Sequence, residues 1–96
     1  MAAATPHIRQ EVFFAGRVQG VGFRYTTQAI AADYAVTGYV RNLPDGRVQL
    51  VVEGAKDAID GLLADIEERM SQFVRQVEKS LKSPATGEFD DFQIRF

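Results

Sequence analysis

The chain contains no cysteine and a single histidine, His7. Without thiols, disulfides, thiolate nucleophiles and cysteine-based metal centres are excluded. One histidine cannot furnish a His-paired catalytic dyad or a multi-histidine metal site. His7 falls in a polar leader and is assigned no role. A strong positive excess is lacking too: 11 Lys+Arg stand against 13 Asp+Glu, a formal net charge of −2. That is not the balance of a nucleic-acid scaffold. Residues 1–6 have no basic region followed by an apolar run, so they do not read as a secretory signal. No apolar stretch approaches the roughly 20 residues of a membrane span. These absences predict a cytoplasmic protein with neither a membrane nor a nucleic-acid partner, and a reducing compartment agrees with the missing disulfides.

What is present fits one small domain. A chain of 96 residues can bury a single core layer, so an active site must be assembled from loops and element ends. Its size and mild charge predict a monomer. Arg9, Arg17, Arg24, Arg41 and Arg47 lie in the first half, whereas acids crowd residues 53–68. An anion would therefore be met by the N-terminal half.

Residues 1–7 read as a flexible leader and 8–96 as the domain. A first strand is predicted over 8–15, then a glycine-rich loop over 16–22. A helix follows over 23–34, with Phe23, Ile30 and Tyr34 on one face. Residues 36–42 return as a strand, Leu43-Pro44-Asp45-Gly46 has turn chemistry, and 47–53 alternates as the next strand. The clearest helix spans 55–70: Ala58, Ile59, Leu62, Leu63, Ile66 and Met70 line one face, and Asp57, Asp60, Asp65, Glu67 and Glu68 the solvated other. Alternation at Phe73, Arg75, Val77, Lys79 and Leu81 predicts a strand over 73–81. Residues 83–91 read as a loop and 92–96 as a closing strand. The order is β-α-β-β-α-β plus a short extra C-terminal strand. This is an α+β, ferredoxin-like split βαβ sandwich with two helices on one face of a mostly antiparallel sheet.

The chemistry is concentrated in GRVQGVGFR, residues 16–24, where a strand passes through a glycine-rich loop into a helix. A helix start offers unpaired N–H groups and a partial positive charge, and glycines let those groups converge on an anion. Arg24 falls in the first helical turn, where it opposes the helix dipole at a cost of a few tenths to about 1 kcal/mol. A bound anion would offset that cost. Taken alone, the loop reads equally well as a tight turn. It matches neither the GxxxxGK[ST] phosphate loop nor the GxGxxG dinucleotide fingerprint.

VQGVGFR over 18–24, followed by GYVRNLPDG over 38–46, resembles the acylphosphatase family. The two motifs stand in the right order, with 18 residues from Arg24 to Asn42. The likeness continues through 48–54 and into GEFDDF over 87–92. The resemblance implies a ferredoxin-like fold and metal-independent hydrolysis of the carboxyl–phosphate bond of acyl phosphates, with no cofactor. It implies a phosphate cradle on the backbone of Gln19, Gly20, Val21, Gly22, Phe23 and Arg24, a catalytic arginine at Arg24 and a water-orienting asparagine at Asn42. The partner would be a small acyl phosphate, with phosphate or sulfate as a product-like ligand. Departures are few. Tyr34 and Ala35 stand where the family often has leucine and glycine, and Leu43 where some members have threonine.

A carboxylate leaving group needs little protonation, so the want of a general acid is no obstacle. The alternative is a non-catalytic ferredoxin-like module that binds an anion without turnover. Phe13, Phe14, Phe23, Phe73, Phe89, Phe92, Phe96, Tyr25 and Tyr39 read as core or as cover for the open sheet face rather than as base-stacking platforms. Asp45, Asp90 and Asp91 read as turn residues.

Overall fold

Alternating apolar positions decide which face of each strand is buried. The structure, a computed structural model, describes residues 6–96. Its elements are β1 (His7–Gly16), α1 (Phe23–Ala31), β2 (Val36–Asn42), β3 (Val48–Ala55), α2 (Lys56–Arg69), β4 (Val74–Lys79), β5 (Ser83–Pro84) and β6 (Phe92–Arg95). The sheet order is β4-β1-β3-β2-β6, with β5 also on β1. β2 and β6 run parallel, and the other pairs are antiparallel. Most of the leader predicted over 1–7 lies outside the described residues, and His7 opens β1.

One face of the sheet carries Val12, Phe14, Val40, Val48, Leu50 and Val52, all inaccessible to solvent. Phe23 and Ile30 of α1 and Ile59, Leu62, Leu63 and Ile66 of α2 close over them. Each such side chain contributes roughly 1.5–3 kcal/mol on burial. Of the apolar face predicted for the second helix, Ala58 is only half-buried. Its acids are not all simply solvated. Asp60 pairs with Lys56 and Lys82, Glu67 with Lys79, and Asp65 takes the Tyr34 hydroxyl hydrogen.

Several boundaries depart from the sequence-based expectation. α1 stops at Ala31 rather than 34, because Asp33 N–H and Tyr34 N–H close tighter, three-residue turns onto Ile30 and Ala31 carbonyls. The alternation predicted from Phe73 to Leu81 is broken. Ala15 faces Gln76 while Gly16 faces Val74, so Arg75 is the extra residue of a bulge. Val74 and Val77 thus both reach the core, and Leu81, beyond the end of β4, is 92% exposed. Residues 83–84, predicted as loop, pair with Ile8 and Arg9.

From there residues 85–91 cross the open face of the sheet toward β6 on the far edge. Glu53, on the open face of β3, holds this crossing segment. Its carboxylate accepts from Thr86 N–H (3.0 Å), Thr86 Oγ1 (2.8 Å), Gly87 N–H (3.0 Å) and Arg9 Nη1 (2.9 Å). Burial alone would raise the pKa of this group. The Thr86 and Gly87 donors and Arg9 outweigh burial and hold it at about 2.

Candidate active site

Strand direction brings three chain segments to one end of the sheet. β1 and β2 both run antiparallel to β3, and β6 runs parallel to β2. The C-terminal ends of β1, β2 and β6 therefore lie together. Phe14 and Asn42 both face Val48, and Arg95 faces Arg41. The glycine-rich loop leaves β1 at this end, Asn42 closes β2 there, and α1 begins over the same region.

Backbone angle explains the glycines of the loop. Gly20 and Gly22 both have φ +78°, in the left-handed region, where an L side chain costs about 1–2 kcal/mol. A Cβ at either would meet no atom within 4 Å, so conformation rather than space demands glycine. Gly22 is the N-cap of α1 and supplies no side-chain cap. The first helical bond is Thr26 N–H to Gly22 O (2.9 Å), and α1 has no acid in its first turn. The amides ahead of Thr26 have no intrahelical acceptor, and the positive end of the dipole is left uncompensated by the chain.

These elements enclose a cavity of about 200 Å³ lined by Val18, Gly20, Gly22, Phe23, Arg24, Tyr25 and Asn42. Four of the six residues predicted for the cradle, Gly20, Gly22, Phe23 and Arg24, thus share one wall system with Asn42. Gln19 and Val21 are not among the lining residues, and Val21 packs against the core. Asn42 belongs to the helix-side register of β2, two positions beyond Val40, so it faces α1 rather than the open face. Arg24 makes no ion pair among the described residues. Its Nη1 donates to Arg95 O (3.2 Å), and its Cζ lies 4.7 Å from the centre of the Phe96 ring.

The Gln19 side chain has a role that sequence reasoning missed. Its Nε2 donates to Leu43 O (2.8 Å) and Arg47 O (2.9 Å), joining the loop to the turn that follows Asn42. The turn is closed by Leu43 N–H to Arg47 O (2.8 Å), and Asp45 accepts from Arg47 N–H (3.1 Å). No pattern of apolar spacing announces such a link. Gln19→Ala is expected to cost about 1–2 kcal/mol for the two bonds, read as a fall of several degrees in melting temperature. Gln19→Glu should be no better, since a carboxylate would face two carbonyl oxygens. A parental melting curve for Gln19→Ala would show that the link carries no weight.

Elsewhere the aromatics divide as packing dictates. Phe14 and Phe23 meet in the core at 5.0 Å. On the open face Tyr39 contacts Phe89 at 5.8 Å and is covered by Arg95 (3.8 Å) and Arg41 (5.8 Å). The guanidinium groups of the chain itself take the ring faces that a base would need. Tyr25 and Phe96 are neither core nor cover: they are 61% and 91% exposed, Tyr25 lining the cavity and Phe96 against the Arg24 guanidinium. Among the described residues no group of three His, Asp or Glu side chains stands close enough to hold a metal ion, and no helix is long and apolar enough to cross a membrane.

Comparison with known proteins bears on the same residues. The family profile named Acylphosphatase matches residues 10–94, which include the loop, Arg24 and Asn42. An acylphosphatase of Methylococcus capsulatus is 44% identical over 87 residues, spanning 90% of this chain and 94% of that one. An acylphosphatase of Trichormus variabilis is 53% identical over 66 residues, and the match spans 65% of that protein. The crystal structure of acylphosphatase from Bacillus subtilis superposes with a TM-score of 0.82 at 28% identity, covering 93% of this chain and 99% of that one. A split βαβ sandwich whose glycine loop and strand-end asparagine meet at one cavity, matched along nearly its whole length, belongs to the acylphosphatase family.

Proposed function

We propose that the protein hydrolyses acyl phosphates to a carboxylate and orthophosphate at the cavity between the glycine loop and Asn42. The observation that carries this reading is the shared cavity. Arg24, the left-handed glycines of the loop and Asn42 stand around one space of about 200 Å³, room for a phosphoryl group. The amides of residues 19–24 and the Arg24 guanidinium would take the three non-bridging oxygens of the phosphoryl group. Charge that builds on those oxygens in the transition state would then meet donors already in place.

Asn42 is uncharged at every working pH, so it does not serve as a strong base. Its side-chain carbonyl accepts from a water and holds it in line with phosphorus. The water oxygen forms a bond to phosphorus as the bond from phosphorus to the acyl oxygen breaks. The leaving carboxylate carries away the electron pair, and the water proton passes to a phosphoryl oxygen. No protein acid is required, because a carboxylate is a weak base.

The test is hydrolysis of benzoyl phosphate in excess chelator, with inorganic phosphate as competitor. Turnover should survive the chelator, and millimolar phosphate should inhibit competitively, since product and substrate would share the cradle. Absence of competition at millimolar phosphate would count against the site. Phosphate binding without turnover would establish an anion-binding module instead.

A further inference from the structure

A phenylalanine ring left in water gains nothing from burial, and Phe96 is 91% exposed. The ring has a specific neighbour nonetheless: the Arg24 guanidinium, whose Cζ lies 4.7 Å from the ring centre. The adjacent carbonyl, Arg95 O, accepts from Arg24 Nη1 at 3.2 Å. Register accounts for both contacts. Arg95 pairs with Arg41, so Phe96 falls one position on, level with Asn42 at the end of the neighbouring strand. Alternation turns Phe96 to the helix side, the side from which α1 presents Arg24. Arg95 is itself fixed from the opposite face, its Cζ 3.8 Å from the Tyr39 ring centre. Both residues lie beyond the 10–94 family match.

Arg24 has a long, rotamer-rich side chain and no acidic partner among the described residues. Unsupported, it would lose that freedom only when an anion arrives, at a cost in affinity. We propose that residues 95–96 position Arg24. The Phe96 ring fixes the plane of the guanidinium, and the Arg95 carbonyl takes one of its five N–H donors, leaving the others free for phosphoryl oxygens. Phe96 is thus a positioning residue that touches no reacting atom. The inference rests on the reading of Arg24 as the phosphoryl ligand.

The experiment compares the parent, Phe96→Ala, Phe96→Tyr, Arg24→Ala and the double variant Arg24→Ala/Phe96→Ala. Measured are KM and kcat for benzoyl phosphate and the Kd of inorganic phosphate by calorimetry. An exposed cation–π contact predicts that Phe96→Ala raises KM and the phosphate Kd roughly 2- to 5-fold, with a smaller change in kcat. Phe96→Tyr should restore both values. In the Arg24→Ala background, Phe96→Ala should change neither any further, a coupling that a general structural effect would not produce. Parental KM and Kd for Phe96→Ala, or an equal effect in both backgrounds, would overturn the positioning role while Arg24 stood. Parental values for Arg24→Ala would instead remove the Arg24 reading, and the positioning role with it.

Discussion

Replacing Asn42 by Ala is expected to lower kcat by about 10²-fold or more, with KM for benzoyl phosphate little changed. Asn42 closes β2 on the helix side, facing the loop across the cavity. In the proposed scheme it touches the attacking water, not the phosphoryl group. Its loss therefore leaves binding in place and lets the nucleophile wander. Arg24→Ala has the complementary signature, because in the same proposed scheme the guanidinium meets the phosphoryl oxygens in both ground and transition states. KM should rise, the phosphate Kd should rise with it, and kcat/KM should fall by roughly 10³-fold. Arg24→Lys should recover only part of this, since an ammonium cannot grip two oxygens in one plane. Steady-state rates with each variant, beside far-ultraviolet circular dichroism to show an intact fold, decide the matter. An Asn42→Ala variant with parental kcat would take the asparagine out of the mechanism.

Glu53→Gln is expected to destabilise the fold by on the order of 3 kcal/mol at neutral pH, the largest stability change predicted for the chain. The figure follows from the carboxyl pKa, which falls from 4.5 to about 2 in the folded protein. Glu53 is 3% exposed, so solvent does little to screen its contacts. The amide would lose the charge that faces Arg9 and would place its own N–H groups against the donors of Thr86 and Gly87. For a domain of this size that corresponds to a fall in melting temperature on the order of 10 °C or more. The sign with pH is fixed by the depressed pKa. Stabilisation is complete above about 4.5 and is lost as pH falls toward about 2. The stability gap between parent and Glu53→Gln, measured by urea unfolding, should therefore narrow over that window. A gap that stays constant from neutral pH to pH of about 2 would refute the assignment.

What could be read in the sequence was local. Glycines at 20 and 22, the turn Leu43–Gly46 and the apolar face of α2 declare themselves within a few residues, because backbone angle and helical period act at that range. Both helices and the four main strands follow from such signals, whereas the pairing of Arg24 with Asn42 comes only from the resemblance of the two motifs to the acylphosphatase family. The bulge at Arg75 does not, because it depends on how β4 meets Gly16 of β1, a strand nearly sixty positions earlier. Residues 83–91 read as loop from Pro84 and Gly87. That they cross the open face is decided by Glu53, a charged residue in a strand whose burial no periodicity reveals. The side-chain link of Gln19 and the place of the Phe96 ring are hidden from local signals for the same reason. The amide of Gln19 reaches carbonyls 24 and 28 positions away, and Phe96, which the sequence groups with core or cover, stacks on an arginine 72 positions earlier in the chain.

The direction of the strands has a practical consequence for handling the molecule. β1, β2 and β6 all point toward the cavity, so the opposite rim of the sheet, where β1 starts and β3 hands over to α2, carries none of the proposed chemistry. β1 is 10 residues long, which separates the two rims by roughly 30 Å. An affinity tag, a fluorophore or a fused carrier joined ahead of His7 would sit on the silent rim. The same addition after Phe96 would crowd Arg24.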